Sequence, residues 1–132
     1  MTVFLDTNLL AYQFDDSLPG KQSRAREVFA AHAADAVIST QVRVELHSVL
    51  IRKLGRSRSE AARVLDSLPL DVIPADAELV RVAAHTAARH ELSIFDAMIL
   101  EAAVRGGCDE LWTEDLADGG TLRGVRVVNP LS

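Results

Sequence analysis

Four carboxylates stand where an α/β fold could do chemistry with them. Asp6 ends the short apolar run Thr2-Val3-Phe4-Leu5, and Asp115 follows Glu110-Leu111-Trp112-Thr113 in the same way. Apolar runs of this length read as buried strands, and open α/β sheets place their sites beyond the carboxyl ends of strands. Glu45 lies three residues after Val42 and four before Val49, on a helix whose other apolar positions are Leu46 and Leu50. It therefore projects beside a buried stripe. Asp96 opens a helix of Ala97, Met98, Ile99, Leu100, Ala102, Ala103 and Val104, apolar enough to be central.

Each acid also has a plain structural reading. Asp6 can cap the helix that begins near Asn8, and Asp115 can cap residues 116–118. Glu45 can pair with Arg43 or a distant arginine, and Asp96 can be the reciprocal partner of the Ser93 cap. Glu114, beside Asp115, is a second candidate that spacing does not separate from it.

If the first and fourth strands are neighbours, Asp6, Asp96 and Asp115 gather at one sheet edge and Glu45 joins them. Like charges so close raise one another's pKa. A divalent cation relieves that repulsion. All-oxygen ligands suit Mg²⁺ or Mn²⁺, and no His/Cys set for zinc is present. The matching chemistry is phosphodiester hydrolysis, with a metal-activated water and charge neutralised at phosphorus. Asn8 and Thr113 could orient ligands or waters, although a helix cap and an ordinary strand threonine explain them as well.

The elements that must position these residues alternate. Strands are expected at residues 2–5, 36–39, 70–73, 110–113 and 125–128. Helices are expected at 8–12, 22–34, 40–54, 57–68, 76–91 and 93–104, with turn residues at 15–20 and 115–120. Leu79, Val80, Ala83, Ala84 and Ala87 are expected to face inward from the fifth helix, with His85 and His90 on or near its exposed side. His32 falls at a helix end near an apolar stripe and reads as no ligand. Short apolar strands alternating with helices argue for a parallel sheet covered on both faces.

The 132 residues suggest one domain, 1–132, and 48% hydrophobic content excludes a disordered chain. Cys108 is the only cysteine and reads as a small buried hydrophobe, so no disulfide framework or thiolate zinc site is expected. The N-terminus lacks a basic start, Asp6 interrupts its apolar run, and no stretch reaches membrane-spanning length. A soluble cytoplasmic protein without membrane attachment is expected. The net charge of −5 argues against nucleic acid, but its distribution does not. Arg43, Arg52, Lys53, Arg56, Arg58 and Arg63 cluster against Glu45 and Glu60, while 109–118 carries acids and no base. Arg43, Arg52, Lys53 and Arg56 could guide a phosphate chain to an acidic pocket; a solvated helix surface is the alternative.

In order along the chain, Asp6-Thr7-Asn8, Glu45, Ser93-Ile94-Phe95-Asp96-Ala97 and Thr113-Glu114-Asp115-Leu116 resemble a PIN-domain ribonuclease. The short length and the ending Val127-Val128-Asn129-Pro130 resemble the VapC toxins of bacterial toxin–antitoxin pairs. The resemblance covers the whole chain. It implies a three-layer α/β/α fold with a five-stranded parallel sheet in the order 3-2-1-4-5. It implies Mg²⁺- or Mn²⁺-dependent endoribonuclease activity with Asp6, Glu45, Asp96 and Asp115 as metal-holding catalytic acids. It further implies an RNA substrate, homodimers, and inhibition by a VapB-type antitoxin that inserts a segment into the active site. Phe95 stands where the family varies.

Two other readings compete. An aspartyl-phosphate phosphatase or receiver domain also places an Asp after an apolar strand, but both need a lysine in the site, and only Lys21 and Lys53 exist, neither after a late strand. A non-catalytic binding module could use the acidic pocket to grip a partner's arginines.

Overall fold

The computed structural model describes residues 1–131; Ser132 lies outside the described residues. The chain order is β1 (Val3–Leu5), α1 (Thr7–Ala11), α2 (Pro19–His32), β2 (Ala36–Ser39), α3 (Thr40–Arg52), α4 (Arg58–Ser67), β3 (Asp71–Ile73), α5 (Ala77–His90), α6 (Ile94–Arg105), β4 (Glu110–Trp112), β5 (Thr121–Leu122) and β6 (Val125–Val128). Short 3-10 turns follow α1 and α2.

One sheet runs β3-β2-β1-β4-β6-β5. β1 lies at its centre, paired in parallel with β2 (Val3 opposite Ala36) and with β4 (Val3 opposite Glu110). All three β1 residues are buried, as a strand covered on both faces requires. Phe4, Ile38 and Leu111 from the three central strands pack with Leu46, Leu50 and Leu100 from the covering helices in one core.

The five parallel strands keep the expected order, with β6 in the fifth place. The sheet nevertheless has six strands, because β5 adds an antiparallel edge. It is joined to β6 by Arg123-Gly124, both at positive φ (52° and 80°). That is the backbone of a two-residue primed hairpin turn, and an arginine in the place of the usual Asn or Asp hides it from the sequence.

Several boundaries differ from expectation for local reasons. α2 begins at Pro19, where a fixed φ and a missing N–H suit the first helical position, so Pro19 and Gly20 start a helix and do not end a turn. Ser39, not Thr40, caps α3; Thr40 Oγ1 accepts the Ala75 amide at 2.8 Å. Asp6, not Asn8, caps α1. Residues 115–120 form bends and turns without helix, so Asp115 is no helix cap.

On α5 the buried stripe is Leu79, Ala83 and Thr86, while Val80 is 40% exposed and Ala84 is exposed too. The stripe turns this way because Thr86 meets Glu101, which is buried on α6. Thr86 donates to Glu101 Oε2 at 2.8 Å, and Arg123 donates to both Glu101 oxygens at 2.9 and 3.1 Å. His32 packs edge-on against Trp112 with ring centroids 4.7 Å apart. Cys108 is buried, and burial pushes its thiol up to about 11. Among the described residues no helix is long and apolar enough to cross a membrane.

Candidate active site

Asp6 is the fixed point. It leaves β1 as the N-cap of α1, its Oδ1 accepting the Thr7 amide at 2.7 Å. Its Oδ2 accepts the Thr113 hydroxyl, also at 2.7 Å. Thr113 follows β4, so the two strands that pair at Leu5 and Trp112 carry this contact directly beyond their ends. Only 5% of Asp6 is exposed. Burial pushes its carboxyl up to about 6; the two hydrogen bonds oppose this, and the Asp115 and Glu45 charges add to it.

Asp115 is the most open of the four acids. Thr113 Oγ1 accepts its amide at 3.0 Å, and Asn8 Nδ2 donates to its Oδ2 at 3.3 Å. Its pKa is raised by partial burial and then by the charges of Asp96, Glu114 and Glu45, with Lys53 opposing. Glu114 turns the other way. It accepts the Tyr12 hydroxyl on one oxygen and Lys21 Nζ, at 3.3 Å, on the other. Lys21 also sits 4.5 Å from the Tyr12 ring centre. The bonds thus separate two acids that spacing left together.

Glu45 reaches the site from α3, half-buried. Thr7 Oγ1 donates to it at 2.8 Å and Gln41 Nε2 at 2.7 Å. It forms no ion pair with Arg43, which donates instead to the Leu65 carbonyl at 3.3 Å. Asp96 sits in the first turn of α6, where its amide donates to the Ser93 hydroxyl at 3.1 Å. A cleft of about 610 Å³ is lined by Asp6, Asn8, Glu45, Asp115 and, on the wall formed by the end of α3, Lys53. Asp96 is not among the lining residues, but its charge acts on Asp115.

The expected basic residues divide. Lys53 lines the cleft and Arg52 is exposed at the end of α3. Arg56 is tied down, donating to the Phe14 carbonyl at 3.0 Å and lying 3.7 Å from Asp16 and 3.9 Å from Glu60. The bonds from Thr7 and Gln41 to Glu45, and from Tyr12 and Lys21 to Glu114, had no place in the sequence reading. Gln41 had a signal, since it lies four residues before Glu45 on one helix face.

The donor chemistry fits a hard divalent cation. The side-chain oxygens of Asn8 (Oδ1) and Gln41 (Oε1) are buried beside the acids with no hydrogen-bond partner among the described residues. Turning either amide over would set its oxygen against the carboxylate its NH₂ now serves. The acids are not closed around one point: among the described residues no three Asp, Glu, His or Cys side chains stand ready to enclose an ion. Glu45 is held by Thr7 and Gln41.

The family model of the PIN domain matches residues 3–117. The chain belongs to the PIN-domain family. Its PIN fold is shared with solved structures at low identity. These include the toxin VapC20 of Mycobacterium tuberculosis, which cleaves the sarcin–ricin loop, at 22% identity and a TM-score of 0.71 over 86% of this chain and 92% of that one. A toxin–antitoxin complex from Klebsiella pneumoniae matches at 21% identity and 0.70 over 98% of each chain. DNA-bound VapBC from Salmonella typhimurium matches at 21% and 0.69 over 96% of each. The search of curated proteins gave no match. In this PIN domain three of the four expected acids, Asp6, Glu45 and Asp115, line one cleft, and the charge of Asp96 reaches Asp115.

Proposed function

We propose that this chain is a metal-dependent endoribonuclease and the toxin of a VapBC-type pair. What carries the reading is that Asp6, Glu45 and Asp115 line one cleft of a PIN domain and that the charge of Asp96, from a fourth stretch, acts on Asp115. Asp6, Glu45 and Asp96 would hold Mg²⁺ or Mn²⁺, and Asp115 would complete the set or hold a water. A cation held there would supply an activated water and neutralise charge developing at phosphorus. The chain's own residues do the rest. Thr113 and the Thr7 amide hold Asp6 in one rotamer, Asn8 steers Asp115, and Lys53 offers a cation to the incoming phosphate chain. The likeness to toxin–antitoxin complexes supports a VapB-type antitoxin as partner; the proposal extends to a homodimer as the working form, in the cytoplasm, with the chain as a single domain.

The test is cleavage of RNA by the purified protein with Mg²⁺ or Mn²⁺, with EDTA, and with Asp96→Asn. Cleavage that needs the metal and disappears in the folded variant is expected. The open arrangement of the acids favours one second reading, a non-catalytic module whose cleft receives a partner's arginines. Calorimetry with Mn²⁺ separates the two, because only the nuclease binds the ion.

A further inference from the structure

Among the described residues Phe95 is the only aromatic of the large exposed hydrophobics, at 65% exposure. Its ring is not part of the hydrophobic core. It sits immediately before Asp96, in the first turn of α6, where the backbone is fixed twice. The Ser93 hydroxyl accepts the Asp96 amide, and Gln41 Nε2 donates to the Phe95 carbonyl at 3.2 Å. The same Gln41 nitrogen donates to Glu45 at 2.7 Å. A single side chain therefore clamps both a cleft acid and the mount of the exposed ring.

We propose that Phe95 is a stacking platform for a nucleobase of the RNA, next to the phosphate held at the acids. The proposal rests on the nuclease reading and deepens it. Single-stranded RNA is gripped by splayed bases laid on aromatic faces, and every base offers such a face. A phosphate chain drawn to the acids brings its bases past the first turn of α6, which carries the ring and is tied through Gln41 to Glu45. A protein partner fits less well. What adjoins the mount of the ring is polar: Gln41 on the Phe95 carbonyl, Glu45 on the same Gln41 nitrogen, and Asp96 next in sequence.

The experiment compares wild type with Phe95→Ala, Phe95→Leu and Phe95→Trp on a single-stranded oligoribonucleotide, with mass measured in solution for each. Phe95→Ala and Phe95→Leu should raise KM by about tenfold, with the loss falling on KM and not on kcat. Phe95→Trp should restore it. Emission of the Phe95→Trp protein should be quenched by the oligonucleotide and not by an abasic one of the same length. Leucine acting as well as phenylalanine, or quenching by the abasic strand, would overturn the proposal. So would loss of a dimer in Phe95→Ala, which would give the ring to a second copy. A wild type that neither binds nor cuts RNA would sink the nuclease reading, and the stacking with it. Normal binding with no dependence on residue 95 would sink the stacking alone.

Discussion

Thr113 Oγ1 lies 2.7 Å from Asp6 Oδ2 and donates to it, while the same oxygen accepts the Asp115 amide at 3.0 Å. One hydroxyl, 1% exposed, thus ties the acid after the first strand to the acid after the fourth. Thr113→Val keeps the shape and removes both bonds. It should destabilise the fold by about 1–2 kcal/mol in urea unfolding. It should also weaken Mn²⁺ binding by about 10–100-fold, the usual effect of removing a partner that orients a ligand. Unchanged Mn²⁺ affinity in calorimetry would show that Thr113 is only structural.

The Asp6 carboxyl, raised from 3.8 to about 6, makes stability depend on pH. Between those values the unfolded chain has released this proton and the folded chain keeps it. The contribution is therefore complete below pH 3.8 and is lost as the pH rises through about 6. At 1.36 kcal/mol per unit it amounts to about 2–3 kcal/mol. Metal-free Asp6→Asn should gain on wild type by that amount between pH 4 and 7 in urea titrations. A difference that does not move with pH would contradict the assignment.

Glu101 and Arg123 give a prediction away from the cleft. Burial alone would raise the Glu101 carboxyl, but the bonds from Arg123 and Thr86 and the Arg123 charge hold it below 4.5. This stability is present above pH 4.5 and fades as the acid protonates below it. Arg123→Ala strands a buried carboxylate, and a loss of about 2–4 kcal/mol in chemical unfolding at pH 7 follows. Mn²⁺ affinity should stay as in wild type.

Lys53 and Arg56 should behave differently although they are neighbours in sequence. Lys53→Ala removes a cation from the cleft wall, so RNA affinity should fall and its salt slope flatten by about 0.7 for single strands. Arg56→Ala removes a tie to the Phe14 carbonyl and should act mainly on stability. Filter binding across a salt series, with melting curves alongside, distinguishes them. Equal salt slopes for the two variants would refute the division.

The four acids were legible because each broke an apolar pattern: two ended strands, one flanked a stripe, one opened a buried helix. Their partners were not. Glu101 sits inside the same apolar helix as an unremarked polar residue, because Thr86 and Arg123 lie 15 and 22 residues away and only the fold joins them. Val80 looked inward by composition, yet the Thr86–Glu101 contact sets the rotation of α5. The β5 edge was hidden by an arginine in a left-handed backbone position. Glu114 and Asp115 were inseparable until Tyr12 and Lys21 showed which one is already engaged.

The pairing of β1 with β4 joins Val3 to Glu110, across most of the chain. On a ribosome, where synthesis proceeds from the N-terminus, the first strand is made long before its neighbour on that side exists. Val3, Phe4 and Leu5 must wait, apolar and half-paired, for residues 110–112. Asp6 likewise waits for Thr113, and the cleft for Asp115. No N-terminal fragment that stops short of residue 115 contains the complete set of acids. The cleft is therefore complete only once residue 115 has been translated.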